Sequence, residues 1–306
     1  MNNMEQPLVS VITVTRNRAS LIKRCIESIQ NQTYQNLEHL IIDGASSDNT
    51  DEVVRSYNDS RIKYYKRDDA HSGQLDCFDF ALEKATGEYL CFLDDDDEYL
   101  PEKIEKQIHL FLTLPEDYGM VYCWMTYYDA STGKVVRLHN PQVKGYVAED
   151  IVEKPTVSGT PTFMFRADAF KSVGGFVRPE VSGLSSDWAT GARFCQKWKV
   201  DYVPESLIKV YVNHGFTRMT DASKYYTDAL TKTIKFHHYF LDTYVNIFDK
   251  YPEKGWYHYR GLITNNIRIG NYNEAWKYYI VLCKSKFSFS NLVYPIKSLV
   301  KKLLKW

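Results

Sequence analysis

Apolar positions in the first hundred residues follow two alternating rhythms. Short β-branched runs, LVSVITVT at 8–15, LEHLII at 37–42, and the segments 62–66 and 89–93, read as strands of a buried sheet. Between them apolar residues recur at helical spacing. Leu21, Ile22, Cys25, Ile26 and Ile29 share one face of a helix that Ser20 is placed to cap, and 51–57 and 74–85 form two more. Strands alternating with helices imply right-handed crossovers and a mainly parallel central sheet flanked by helices, an α/β fold. Ligands of such sheets bind beyond the carboxyl ends of the strands. Three polar loops fall there: Thr15-Arg16-Asn17, Asp43 to Asp48, and Asp94 to Asp97.

Further on the pattern is less regular. Residues 119–128 are strand-like, Gly133 invites a hairpin, and 162–166 reads as a strand followed by a helix at 167–173 that Gly174-Gly175 closes. Ser185-Ser186-Asp187 precedes a helical pattern running to 198, and 200–203 and 208–212 read as two strands. From about 217 the strand signal stops, and helices are expected at 224–248, 257–269 and 273–284. The expected division is a catalytic α/β domain at 1–216, with halves at 1–115 and 116–216, and a helical region at 217–306. Glu274 is the last acidic residue. In the stretch 285–306, Leu292, Val293, Ile296, Leu299, Val300, Leu303 and Leu304 recur at helical spacing among lysines. A basic amphipathic helix of this kind suits an anionic membrane surface, and a helix packed on its own domain or on a partner subunit would carry the same spacing.

Composition narrows the classes. With 38 basic and 38 acidic residues the formal charge is zero, so no nucleic-acid partner is expected. The six cysteines are scattered without a CxxC pair, which reads as buried free thiols in a reducing compartment, and a cytoplasmic location is expected. The N-terminal residues lack a basic stretch followed by a long apolar one, so no signal peptide is expected, and no run of about 18 apolar residues occurs.

The chemistry concentrates in LDDDDEY. Asp94 and Asp96 lie two apart, so in extended geometry both project to one side. Carboxylates with open coordination positions suit Mg²⁺ or Mn²⁺ shared with phosphate oxygens. Asp95 and Asp97 are expected to face away or to support the loop. Capping of a helix beginning near Pro101 would also explain acids here.

Three segments give this loop its context: SVITVTRN, then QNQTYQNLEHLIIDGASSDNT, then ATGEYLCFLDDDDEYLPEKIEKQ. In that order they resemble the family-2 glycosyltransferases, closely over about the first hundred residues and more loosely to Asn213. The resemblance implies a GT-A fold, with a nucleotide-sugar-binding half at 1–115 and an acceptor-binding half at 116–216. It implies nucleobase or ribose contacts from Thr15, Arg16 and Asp43, a ribose or metal contact from Asp94, and Asp96 as principal metal ligand. His214 would join the metal or the diphosphate, and Arg218 the same phosphates. Asp187 would be the general base that deprotonates an acceptor hydroxyl, although a helix start can use an acid there simply as a cap. Arg16 departs from the family's usual Tyr, Asp79 from a frequent Asn, and Gln196-Lys197-Trp198 only partly matches the QxxRW of processive members.

The reaction expected is metal-dependent, inverting transfer of a single sugar from a nucleoside diphosphate-sugar, a UDP-sugar favoured, to a glycan acceptor. The acceptor is expected to be lipid-linked, with 285–306 touching the inner face of the plasma membrane. The alternatives are a catalytically degenerate GT-A scaffold and a nucleotidyltransferase. The latter should carry a Gly-rich, basic phosphate loop after the first strand, which VTRNRASL does not offer.

Overall fold

The computed structural model describes residues 6–157, 159–177, 186–216 and 227–285, together with Tyr294. The described residues divide into two compact units. One comprises the described residues within 1–147, 157–176 and 193–215; the other comprises those within 148–156, 177–192 and 216–306.

The first unit is built on a sheet. Strands β1 (Val9–Thr15), β2 (Leu37–Asp43), β3 (Ile62–Lys66) and β4 (Tyr89–Phe92) alternate with helices α1 (Ile22–Gln30), α2 (Thr50–Arg55) and α3 (Gln74–Lys84), as the two apolar rhythms require. They lie in the order β3-β2-β1-β4, all parallel. The chain therefore builds outward from β1 to β3 and returns to the other side of β1, which makes the β1/β4 boundary the topological switch point. Beyond β4 the sheet becomes mixed. The short strand β5 (Glu98–Tyr99) leads to α4 (Lys103–Phe111), then to β6 (Tyr118–Asp129) and its hairpin partner β7 (Val135–His139). Gly133 turns that hairpin at φ 69°, as its position between the strands suggests.

Helix α5 (Ala148–Glu153) belongs to the second unit, and β8 (Met164–Arg166) and α6 (Ala167–Ser172) return to the first. β8 pairs antiparallel with both β4 and β6. The expected strand at 162–166 is shorter, because Thr160–Thr162 forms a 3-10 turn.

Three local expectations are corrected. Ser20 does not cap α1: Leu21 holds the N-cap position without a side-chain bond, and the Arg18 carbonyl instead accepts the amides of Leu21 and Ile22. The helix expected to reach 198 is α7 (Ser186–Phe194), ending in a turn. The two strands expected at 200–203 and 208–212 are one, β9 (Lys199–Val212). It runs parallel to β6, whose Cys123 pairs with Val203 and Trp124 with Ser206, so Pro204 and Glu205 are passed over. Proline cannot donate to a ladder, and the strand accommodates it as a bulge rather than an end.

The second unit contains α5, most of α7, α8 (Thr227–Thr243), α9 (Val245–Lys250), α10 (Trp256–Ile269) and α11 (Tyr272–Ser285). The continuous helix expected over 224–248 is interrupted at Tyr244, whose φ of −112° and ψ of 30° leave the helical region. Its centre is aromatic. The Trp188 ring lies 4.3 Å from that of Phe240 and 5.4 Å from that of His258, and its Nε1 donates to the Ile151 carbonyl at 2.5 Å. His258 and His237 are both buried, their Nδ1 atoms 3.2 Å apart, with His258 Nε2 at 2.8 Å from the Val152 carbonyl. Gly270, at φ 87°, ends α10 and turns the chain into α11.

Candidate active site

Three loops meet at the carboxyl ends of β1, β2 and β4. Asn17, in the left-handed region at φ 53°, ties the first to the second: its amide donates to Ser46 Oγ, and its Oδ1 accepts the Ser47 amide at 2.7 Å. Asparagine is among the few non-glycine residues that accept this conformation readily. Thr15 ties the first loop to the third through Oγ1, which donates to Asp95 Oδ2 at 2.7 Å. Arg16 reaches sideways, with Nη1 on Ser72 Oγ at 2.7 Å and Nη2 at 3.3 Å from Asp69 Oδ1, its side chain half exposed.

Asp43 is wholly buried. Its Oδ1 accepts the Ser46 amide at 2.7 Å and its Oδ2 the Tyr64 hydroxyl at 2.5 Å, so both oxygens engage the protein itself. Burial and this carboxylate push the Tyr64 phenol well above its ordinary range.

The aspartate run is a turn, not the extended segment expected. The Asp97 amide donates to the Asp94 carbonyl at 3.1 Å. A turn brings together side chains that a strand would alternate, and oxygens of Asp94, Asp96 and Asp97 all lie within 4.8 Å of one another. Asp97, expected to stand aside, is thus in the group, and one of its oxygens accepts the Tyr211 amide at 3.1 Å. Asp95 is the member that turns away, held by Thr15 and by Arg18 Nη1 at 3.5 Å. Burial, with the neighbouring Asp96 charge adding to it, pushes Asp95 up to about 7 against the pull of Arg18 and Thr15.

Positive charge among these acids comes from residues that the pattern reading did not single out. Arg18 Nη1 lies 3.0 Å from Asp96 Oδ2. Arg24 Nη2 donates to the Asp96 carbonyl at 2.7 Å, and its guanidinium stacks 3.6 Å over the Tyr211 ring. The signal was present, since Arg18 follows β1 by three residues and Arg24 lies six residues beyond it, in the first turn of α1. His214 follows β9 between Asn213 at φ 59° and Gly215 at φ 84°, and its Nε2 lies 3.1 Å from Asp96 Oδ2.

This donor set fits a small divalent cation. Mg²⁺ takes octahedral oxygen ligands at about 2.1 Å, which puts adjacent ligand atoms about 3 Å apart. The oxygens of Asp94, Asp96 and Asp97, gathered within 4.8 Å of one another, are the donor type such an ion takes, and His214 stands beside Asp96 at 3.1 Å.

Asp187 lies in the first turn of α7, where its Oδ1 accepts the Trp188 amide at 2.8 Å; it belongs to the second unit. Arg218 lies outside the described residues, as does the expected amphipathic segment 285–306 apart from Ser285 and Tyr294.

The sequence matches the family model for glycosyl transferase family 2 over residues 10–174, more than half of the chain. The chain belongs to glycosyltransferase family 2. An uncharacterized glycosyltransferase of Rickettsia typhi is 28% identical over 221 residues, 71% of this chain and 68% of that protein. A Campylobacter jejuni protein described as GalNAc(5)-diNAcBac-PP-undecaprenol β-1,3-glucosyltransferase is 43% identical over 96 residues, 31% of each chain. Several other curated relatives are likewise matched over little more than a third of their length. Among solved structures, that of S. aureus TarS 1–349 in complex with UDP-GlcNAc superposes with a TM-score of 0.68 at 16% identity, covering 96% of this chain and 88% of that one. The fold of this family-2 glycosyltransferase is therefore GT-A.

Proposed function

We propose that this glycosyltransferase moves a single sugar from a nucleoside diphosphate-sugar to a hydroxyl of a lipid-linked glycan, in surface polysaccharide synthesis, with inversion at the anomeric carbon. The observation that carries the reading is the convergence of Asp94, Asp96 and Asp97 with His214 at the carboxyl ends of the strands. Asp96, Asp94 and His214 are the residues proposed to hold Mg²⁺ or Mn²⁺, with Asp97 beside them. A bound cation neutralises charge developing on the leaving diphosphate.

The chain's own groups then have distinct tasks. Thr15 and Arg16 contact the nucleoside, while Asp43 acts by fixing the loop that faces it. Arg18, whose Nη1 lies 3.0 Å from Asp96 Oδ2, would offer a charge-assisted contact to the phosphate oxygens. Arg218 is assigned to the same phosphates from sequence alone. Asp187 takes the proton of the acceptor hydroxyl as that oxygen attacks the face opposite the leaving group, a single displacement.

The lipid-linked acceptor is supported by the name of the Campylobacter relative, and the nucleotide-sugar donor by the ligand of the TarS structure. Contact of 285–306 with the inner face of the plasma membrane belongs to this reading. No helix among the described residues is long and apolar enough to cross a membrane.

The test is nucleotide release across a panel of nucleotide-sugars with Mn²⁺ or Mg²⁺, comparing the native chain with Asp187→Asn and Asp96→Ala. Loss of turnover in both variants is expected; undiminished turnover in both overturns the mechanism.

A further inference from the structure

Helix α1 turns one row of polar side chains toward the main chain that runs on from the acidic turn. Arg24, Ser28 and Gln32 recur at i, i+4 and i+8, the spacing that puts residues on one side of a helix. Arg24 Nη2 donates to the Asp96 carbonyl at 2.7 Å, and Ser28 Oγ accepts the Tyr99 amide at 3.2 Å. Gln32, just past the helix, donates from Nε2 to the Leu100 carbonyl at 2.9 Å. The row follows the chain from Asp96 to Leu100, and Arg24 is the member that touches the aspartate run itself.

Arg24 also has a support of its own. Its guanidinium lies 3.6 Å over the centre of the Tyr211 ring, and its Nε is buried without a hydrogen-bond partner among the described residues. The Asp96 carbonyl and the Tyr211 ring therefore hold the guanidinium between them. Tyr211 is tied to the same stretch twice more. Its amide donates to Asp97 Oδ1 at 3.1 Å and its hydroxyl to Glu98 Oε2 at 2.8 Å, while Glu98 Oε1 meets Lys209 Nζ at 2.9 Å. Asp96, Asp97 and Glu98 are thus held in succession by an arginine from α1 and a tyrosine from β9.

We infer that Arg24, braced on Tyr211, is a positioning residue for the carboxylate cluster. It fixes the main chain at Asp96, so that Asp94, Asp96 and Asp97 converge before a divalent cation arrives. Three carboxylates within 4.8 Å of one another repel, and a turn closed by the Asp97–Asp94 main-chain bond yields to that repulsion unless something holds it. The bond from Nη2 goes to a carbonyl, so it holds the turn without occupying a carboxylate oxygen. Geometry and charge here act in opposite directions. A positive group beside the site repels a cation, so an arginine that helps the ion to bind does so through the arrangement it imposes. Ligands already in place bind more tightly, because less ordering remains to be done. The inference rests on the cation site proposed above and deepens it.

The experiment titrates Mn²⁺ into the full chain without donor, the free ion being read by electron paramagnetic resonance. The native protein is compared with Arg24→Gln, Arg24→Lys, Tyr211→Leu, Tyr211→Phe, the combination of Arg24→Gln with Tyr211→Leu, and Asp96→Ala. Thermal unfolding without metal verifies each fold, and Arg24→Lys carries the arginine test where Arg24→Gln does not fold. Arg24→Gln and Tyr211→Leu are each expected to weaken Mn²⁺ binding by about tenfold, the scale of loss when a partner behind a metal ligand is removed. Arg24→Lys should lose nearly as much, since an ammonium keeps the charge but not the planar fork and its stack. Tyr211→Phe keeps the ring and the amide and should bind close to the native affinity. The combined variant should lose little more than either single one, because both remove the same brace. Unchanged or tighter binding in Arg24→Gln, native affinity in Arg24→Lys, or losses that add in the combined variant overturns the inference. Such a result with Asp96→Ala impaired leaves the cation site standing. A native chain that takes up no Mn²⁺, or Asp96→Ala that binds it as the native chain does, strikes the cation site and the inference with it.

Discussion

At the residue scale the site is a problem of crowded negative charge, and two arginines carry its solution. Arg18 faces Asp95 and Asp96 with its side chain and both carboxylates largely buried, so removing it leaves acids uncompensated in a poorly solvated place. Arg18→Gln is expected to lower stability by about 1–3 kcal/mol without added metal, and millimolar Mn²⁺ to restore part of the loss. Thermal unfolding with and without the ion reads both effects; a variant as stable as the native chain overturns this account. If Asp187 is the proposed general base, Asp187→Asn should lower turnover by about 10²–10⁴ while donor affinity holds, because such a base acts on the acceptor. Nucleotide release paired with nucleotide-binding titration separates the two. The acids themselves were legible in the sequence, since their place after an apolar run is a matter of pattern. Their arrangement was not. The period of a strand was carried one turn too far, and a main-chain bond from Asp97 to Asp94 gathers Asp97 in while Asp95 turns to Thr15.

At the scale of elements, the helical unit is organised by two neutral imidazoles. Burial holds His237 down to about 3, with the His258 and His238 charges adding to this, and burial holds His258 down to about 4. Both lie below the unfolded value of about 6.5, so above that pH neither form of the chain gains a proton. As pH falls from 6.5 toward 4 the unfolded chain takes up protons that the folded one refuses. Stability should therefore drop by up to about 1.4 kcal/mol per pH unit for each histidine. Urea unfolding followed by helical circular dichroism between pH 7 and 5 checks this, and a flat midpoint would contradict it. A second test lies at Gly261 in α10, where an added Cβ would meet His237 Nε2 at 2.0 Å. In an open helix Gly→Ala stabilises by about 1 kcal/mol. Here the overlap with a buried ring should win, and Gly261→Ala should destabilise by about 1–3 kcal/mol in thermal melts. The elements themselves were largely readable, β1 to β4 within a residue or so, because repeated apolar rhythm survives any tertiary context. β9 was misread as two strands because Pro204 looks like a stop in one dimension. Paired along β6, it is only a bulge. The His237–His258 pair could not be read at all, since it joins residues 21 positions apart on two helices through side chains with no shared period.

For the molecule as a whole, all six cysteines are free: Cys25, Cys77, Cys91, Cys123 and Cys195 are buried and Cys283 is half-buried. A thiol reagent should therefore modify Cys283 on α11 first and the other five only on unfolding, as timed mass spectrometry would record; early modification at Cys91 or Cys123 would contradict the burial. The same global view explains why pattern alone could not assemble the acidic turn. Asp97 meets the Tyr211 amide across 114 positions of chain, and His214 lies farther still from Asp96. This distance has a consequence for biosynthesis. A nascent chain that has left the ribosome as far as β8 already contains β1 to β4 and all four aspartates, yet lacks the strand that brings Tyr211 and His214 to them. Domains fold as units as they emerge, so cation capture should come late, after β9 has joined β6. The growing polypeptide would thus leave the ribosome with its acidic cluster still unassembled, and the proposed competence to hold an ion would mark a chain that has finished its sheet.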